Sequence, residues 1–200
     1  MGPSRNKAGP AHRPMPGPLS PPLARIRAHL AHGGLIAYAT ESCFGLGCDP
    51  RSARAVLALL RLKGRPRHKG LILVAHSFAR LAPFVCAPSE RARAVMTTVW
   101  PGPTTVLLPS ARHTPRWLTG RHETLAVRVS AHPDTAHLAR ALGQALVSTS
   151  ANPAGHKPAR TAAGVRRMFG GQVLVVRGRI GRRTRPSTIL DPETGRIIRP

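Results

Sequence analysis

The stretch from Tyr38 to Val74 reads YATESCFGLGCDPRSARAVLALLRLKGRPRHKGLILV, and the fold turns on how it is parsed. It continues a short apolar run, Leu35-Ile36-Ala37-Tyr38, whose composition predicts a buried strand. Thr40, Glu41 and Ser42 follow, and Gly45 and Gly47 are expected to let the backbone turn tightly and approach a bound group closely. Asp49 is the expected N-cap of a helix that has Pro50 at its first position. Within that helix Ala53, Val56, Leu57 and Leu60 fall at i, i+3, i+4 and i+7, one face aimed at a core. Lys63 ends the stripe in a cation. Arg65, Arg67 and Lys69 crowd behind it before Leu71 to Val74 returns to the interior as a strand. Four cations held between two buried segments, beside a hydroxyl-rich turn, make an arrangement for holding an anion. The same run is also the pattern of a solvated helix end that suits the dipole, and spacing alone leaves both readings open.

Outward from this stretch, strands and helices alternate. Upstream, Leu23, Ile26 and Leu30 describe a short helix stopped by Gly33-Gly34. Downstream, His76 to Val85 reads as a loop with a helical turn, Ser89 to Val99 as a helix, and Thr104 to Leu108 as a strand. Ser110 to Glu123 is polar and basic, and is expected to be a mobile loop over a site. In the strand Leu125 to Val129, alternation puts Leu125, Val127 and Val129 on one face and Ala126 and Arg128 on the other. Pro133 to Leu142 is a helix ended by Gly143, and the strand Leu146 to Thr149 runs straight into Ser150-Ala151-Asn152. Thr161 caps a helix that reaches Phe169; Val173 to Val176 is a strand; Thr188 to Leu190 and Arg196 to Arg199 pair as a terminal hairpin. The expected fold is therefore α/β: a single domain over residues 23–200, with a mixed, twisted sheet flanked by helices. Residues 1–22, rich in Pro and Gly, are expected to form a disordered tail.

The balance of 31 Lys and Arg against 7 Asp and Glu gives +24, and 42% of the residues are hydrophobic, enough for a sizeable core. Such a charge favours polyanions as partners and says nothing about fold. With so few acids available, Arg128 in its apolar strand is expected to pair with a ligand anion, because an unpaired buried cation is costly. Cys43, Cys48 and Cys86 form no metal-ligand spacing, no protein metal ligand is assigned, and Cys43 is expected to pack rather than react. No run is long enough to span a membrane and no apolar leader is present, so a soluble, cytoplasmic chain is expected.

Phosphate-binding GxxxxGK[ST], HExxH and GxSxG signatures are all missing. What remains is a set of hydroxyls, amides and cations without an evident protein nucleophile. Such a set suits a reaction in which the substrates bring the reacting groups and the protein positions them and offsets charge.

TESCFGLG at Thr40 to Gly47 and LKGRPRHKGLIL at Leu62 to Leu73 resemble the YrdC-like family, the threonylcarbamoyl-AMP synthases of tRNA modification. WPGPTT (Trp100 to Thr105), LAVRVSAHP (Leu125 to Pro133), STSAN (Ser148 to Asn152) and RPSTILD (Arg185 to Asp191) follow in the family's order. PRWLTG (Pro115 to Gly120) resembles the short bacterial form, which lacks the extra C-terminal domain of longer relatives. The resemblance implies that L-threonine and bicarbonate give a carbamate whose oxygen attacks the α-phosphate of ATP, with Mg2+ on the phosphates, releasing pyrophosphate. Carried over residue by residue, it makes Lys63, Arg65, Ser150 and Asn152 catalytic. It puts Arg65, Lys69, Thr124, Ser150 and Arg199 on ATP, and Ser42, Arg128, Ser148 and Ser187 on threonine. Weak contact with tRNA, and transient contact with the tRNA threonylcarbamoyl transferase complex, are implied as well. This chain departs from the pattern at Ala39, which replaces the usual Pro, at Ala154, which replaces a small hydroxyl, and at Val74, where longer relatives have His and this chain has His76 two residues on. A rival reading is an RNA-binding module acting through a basic concave surface, which the scarcity of aromatic residues for base stacking disfavours.

Overall fold

The structure, a computed structural model, describes residues 20–200. The tail expected at residues 1–22 falls outside it except for the last three, of which Ser20 accepts a hydrogen bond from the Arg177 amide at 2.7 Å. The first half runs α1 (Leu23–Ala31), β1 (Leu35–Ala39), β2 (Phe44–Gly47), α2 (Ala53–Lys63), β3 (Ile72–Ala75), α3 (Glu90–Val99) and β4 (Thr104–Pro109). The second runs α4 (Arg116–Thr119), β5 (Thr124–Val129), α5 (Pro133–Leu142), β6 (Leu146–Ser150), α6 (Ala162–Phe169), β7 (Val173–Val175), β8 (Thr188–Leu190) and β9 (Ile197–Arg199). The strands form one sheet in the order β7-β1-β2-β6-β3-β5-β4-β8-β9. It is mixed, as expected: β3 lies parallel to β5, for example, and antiparallel to β6.

Register decides which side chains share a face, because neighbours opposite one another point the same way and successive residues alternate. Val147, Leu73, Val127 and Val106 lie in one cross-strand row on the first face. They belong to the main core, with Val56, Leu59 and Leu60 of α2, Ala92 and Met96 of α3, and Val165 and Phe169 of α6. On the second face, Ile36, Tyr38, Val74 and Leu146 pack against Ile26 and Leu30 of α1 and Leu138 of α5 in a smaller core. That core covers only part of the second face. Beyond it, the pairs Gly45-Ser150 and Ile72-Ser148 border a cavity, and Arg128 sits in the row with Val74 and Leu146. The functional cavity occupies this uncovered end of the sheet.

Three local expectations are corrected. Gly45 and Gly47 are strand residues; the turn before them is Thr40 to Cys43, closed by the Thr40 amide and Oγ1, which both donate to the Cys43 carbonyl at 3.0 and 2.7 Å. Gly47 is needed for packing, since a Cβ there would lie 2.5 Å from the Val147 carbonyl oxygen and 2.8 Å from Cε1 of Tyr38. Helix α2 starts at Ala53, capped by Ser52, whose hydroxyl accepts from the Ala55 amide at 3.2 Å. Asp49 instead folds its own loop by accepting from the Arg51 amide at 2.9 Å. The buried face of α2 is consequently Ala55, Val56, Leu59, Leu60 and Lys63, a slight rotation that still ends on the cation.

The segment Ser110 to Glu123 is packed onto the core rather than laid over a site as a lid. Its short helix α4 sends Leu118, fully buried, into the main core, and the Leu118 carbonyl accepts from the Leu71 amide at 2.8 Å. Trp117 donates its ring N–H to the Pro50 carbonyl at 3.3 Å. No residue of this segment lines the cavity. Polar composition hid two apolar anchors, Trp117 and Leu118, flanked by cations.

Candidate active site

A cavity of about 430 Å3 opens at the uncovered end of the sheet. Its floor is the strand surface itself. Ser148 and Ser150 are two apart on β6 and so project from one face, and Gly45, opposite Ser150, leaves that floor low. A Cβ on Gly45 would stand 3.1 Å from Thr40 Cγ2 and 3.6 Å from Ser148 Oγ, within the cavity wall. The β1–β2 turn contributes Thr40, Ser42 and Cys43, and the segment after β6 contributes Lys157 and Arg160, the latter donating to the Ser42 carbonyl at 3.0 Å. The fourth side comes from the chain end: Thr184, Pro186, Ser187 and Arg199.

Arg65, Arg128, Lys157, Arg160 and Arg199 therefore converge on this space, and no carboxylate lines it. Arg65 follows Gly64, which ends α2 in the left-handed region at φ 60°, so the chain reverses and the guanidinium folds back to donate to the Gly70 carbonyl at 2.9 and 3.2 Å. Arg199 donates to the Ser187 carbonyl at 2.7 and 3.1 Å and to Ser187 Oγ at 3.0 Å, while Thr105 Oγ1 fixes the same hydroxyl from below at 2.9 Å. Burial holds both guanidiniums below their ordinary range, and for Arg199 the neighbouring charges of Arg128 and Arg65 push in the same direction. Their protein partners are neutral oxygens, which leaves positive charge to be balanced by an incoming anion.

Lys63 is buried behind the floor. Its ammonium donates to the carbonyls of Ser150 and Asn152, the latter at 2.7 Å, so the end of α2 clamps the chain where it leaves β6. Burial, then the charge of Arg65, push its pKa down to about 8. Asn152 completes the clamp, donating from Nδ2 to the Pro153 and His156 carbonyls at 2.9 and 2.7 Å. Neither Lys63 nor Asn152 lines the cavity; both act on the backbone that carries Ser150.

Arg128 differs from the other cations. Its Nη1 lies 3.2 Å from Glu41 Oε2, which corrects the expectation that only a ligand would balance it. Glu41 is the residue that sequence reasoning missed, although it stands inside the quoted TES motif and is one of few acids in the chain. Lys157, Arg160, Thr184 and Pro186 were also missed, because their separation in sequence gives no sign that they meet. Of the residues singled out from sequence, Ser42, Arg65, Arg128, Ser148, Ser150, Ser187 and Arg199 share the cavity. Lys69 is exposed on a short 3-10 turn, and Thr124 is half-buried at the start of β5; neither lines the cavity. His76 also lies outside it. Cys43 lines the wall, and burial raises its pKa, the opposite of an activated nucleophile. Among the described residues no cluster of His, Cys, Asp or Glu is arranged to hold a metal.

A family model described as telomere recombination, that of Sua5, YciO and YrdC, matches residues 28–200. The chain belongs to the Sua5/YciO/YrdC family. Within this family, a protein of Thiobacillus denitrificans named threonylcarbamoyl-AMP synthase is 58% identical over 174 residues, covering 87% of this chain and 93% of its own length. A protein of the same name from Methylobacillus flagellatus is 53% identical, with coverage of 88% and 99%. Among solved Sua5/YciO/YrdC structures, that of P. abyssi Sua5 complexed with L-threonine superposes with a TM-score of 0.77 at 30% identity, covering 84% of this chain and 50% of that one.

Proposed function

We propose that this chain forms L-threonylcarbamoyl-AMP and pyrophosphate from L-threonine, bicarbonate and ATP, for threonylcarbamoyl modification of adenosine next to the anticodon of tRNA. The observation that carries this reading is the convergence, in one cavity, of a carboxylate-ready Arg128 beside hydroxyls and of Arg65 and Arg199 facing no acid. Relatives of near full length that carry the synthase name support it, as does the L-threonine in the P. abyssi Sua5 complex. Residues 23–200 form the catalytic domain.

In this reading Arg128 takes the amino-acid carboxylate, with Ser42, Ser148 and Ser187 reading the amine and side chain. Arg65, Ser150 and Arg199 take the triphosphate. Lys63 and Asn152 hold the Ser150 backbone in register, so that hydroxyl and cations meet the reacting α-phosphate together. Lys69 and Thr124 contact the nucleotide only where it extends past the cavity. The carbamate oxygen is the nucleophile and pyrophosphate the leaving group, so the protein supplies position and positive charge. Magnesium enters as MgATP: the cavity offers hydroxyls and cations but no carboxylate set of its own, so the ion rides on the phosphates. The site works in the cytoplasm; among the described residues no helix is long and apolar enough to cross a membrane. The +24 charge supports weak tRNA contact during transient delivery of the product to the tRNA threonylcarbamoyl transferase complex.

Pyrophosphate release from MgATP tests the reaction. It is expected only when L-threonine and bicarbonate are both present. Release without them, or none at all beside salt-sensitive RNA binding, would favour the RNA-binding module instead.

A further inference from the structure

Glu41 and Arg128 form the one salt bridge among the described residues, with side chains 13% and 8% exposed. Isolated ion pairs of this kind contribute little net stability, because desolvation offsets attraction, so stability alone does not account for it. Two hydrogen bonds hold the acid and two more brace their surroundings. Its Oε1 accepts from Ser130 Oγ at 2.7 Å, and Ser130 Oγ in turn accepts from the His132 amide at 3.1 Å. Its backbone carbonyl accepts from the Arg183 amide at 3.1 Å, and the preceding Thr40 carbonyl accepts from the Gly181 amide at 2.9 Å. The strap that runs toward Ser187 thus lies directly on this turn: a Cβ on Gly181 would meet the Glu41 carbonyl oxygen at 2.5 Å. Glu41 is therefore held from both sides before it reaches Arg128.

An unassisted Arg128 would have two faults. Its long side chain would sample several rotamers, and it would stand among the cations of the same cavity as one more phosphate ligand. A fixed carboxylate at Nη1 removes both. It aims the guanidinium and offsets part of its charge through an ion-pair contact in which Glu41 Oε2 makes no hydrogen bond; Arg128 Nε is buried and also has no hydrogen-bond partner in the protein. A guanidinium whose charge is partly offset still binds a planar carboxylate through paired hydrogen bonds, but gains less from a polyphosphate over a monoanion than an unpaired one does.

We propose that Glu41 is a positioning residue that aims Arg128 and reserves it for the monoanionic carboxylate of the amino-acid substrate, keeping the triphosphate on the other cations. This inference rests on the function proposed above for the identity of the amino acid. Its test is titration calorimetry of L-threonine and of ATP on wild type, Glu41→Gln, Ser130→Ala, Arg128→Ala and the Glu41→Gln/Arg128→Ala pair. Glu41→Gln keeps the volume and can still accept from Ser130. Its L-threonine Kd is expected to rise about tenfold, because the guanidinium is no longer aimed at the carboxylate, and ATP is expected to compete with L-threonine where in wild type it does not. Ser130→Ala is expected to weaken L-threonine about threefold in the same direction, since the anchor bond is lost and the ion pair kept. In the Arg128→Ala background, Glu41→Gln is expected to add nothing to the L-threonine defect, because Glu41 acts on L-threonine only through Arg128. Unchanged L-threonine affinity in Glu41→Gln, equal losses for both ligands, or effects that multiply in the pair would overturn the proposal. Wild type that binds L-threonine yet releases no pyrophosphate overturns the reaction and leaves this assignment supported by the same titrations; wild type that binds no L-threonine overturns both.

Discussion

Two sets of cations share the cavity, and they are built differently. Arg65 and Arg199 donate only to neutral carbonyl and hydroxyl oxygens, from Gly70 and Ser187. Arg128 has a carboxylate of the protein at 3.2 Å. The first set leaves an excess of positive charge, the second a directed fork whose charge an acid partly offsets. In the proposed function the difference separates a site for a multiply charged triphosphate from one for a single carboxylate within one small cavity.

Arg128→Ala breaks the contrast most sharply. It removes the fork and leaves Glu41 buried without its partner, so the KM for L-threonine is expected to rise on the order of 100-fold, with the KM for ATP changing less than threefold. Stability is expected to fall by about 3 kcal/mol, read as a lower melting temperature. Equal rises in both constants would erase the distinction between the two sets. Arg65→Ala is the reciprocal change: the KM for ATP should rise roughly tenfold and that for L-threonine stay within twofold, a smaller effect because no internal charge is stranded.

Proton linkage at Lys63 sharpens the comparison further. Its ammonium, with a pKa pushed down to about 8, loses its charge as pH rises past that value, so kcat/KM for ATP is expected to fall, about tenfold by pH 9, while the L-threonine dependence stays flatter. Stability moves the other way. Between about 8 and the ordinary 10.5 the unfolded chain binds more protons than the folded one, so this group makes the fold more stable as pH rises through that window. A pH-rate profile and thermal melts across pH 7 to 10 check both signs. The smallest expected effect is at Lys69: exposed and outside the cavity, Lys69→Ala should change the KM for ATP by about twofold or less.

The legible part of the molecule followed from period and punctuation. Helix α5 is capped by Gly143, and α6 by Thr161 at its start and Gly170 at its end, as expected, because those signals act within a few residues. The alternation in β5 that isolates Arg128 from Val127 and Val129 was equally local. Two things were not visible. The partner of Arg128 is Glu41, on a turn far away in sequence, and the polar segment before β5 is anchored by Trp117 and Leu118, a pair too short to show a period. In both cases tertiary packing decides, and local pattern carries no record of it. Glycine misled for a related reason: Gly45 and Gly47 are small to let strands, a tyrosine ring and a cavity floor approach, a requirement set by neighbours from elsewhere in the chain.

The most direct measurement is calorimetric titration of L-threonine into the protein alone and into the protein saturated with a non-hydrolysable ATP analogue and Mg2+. Separate cation sets predict one bound L-threonine per chain in both cases, with affinities within about threefold of each other. Loss of L-threonine binding once the nucleotide analogue occupies the cavity would contradict the account.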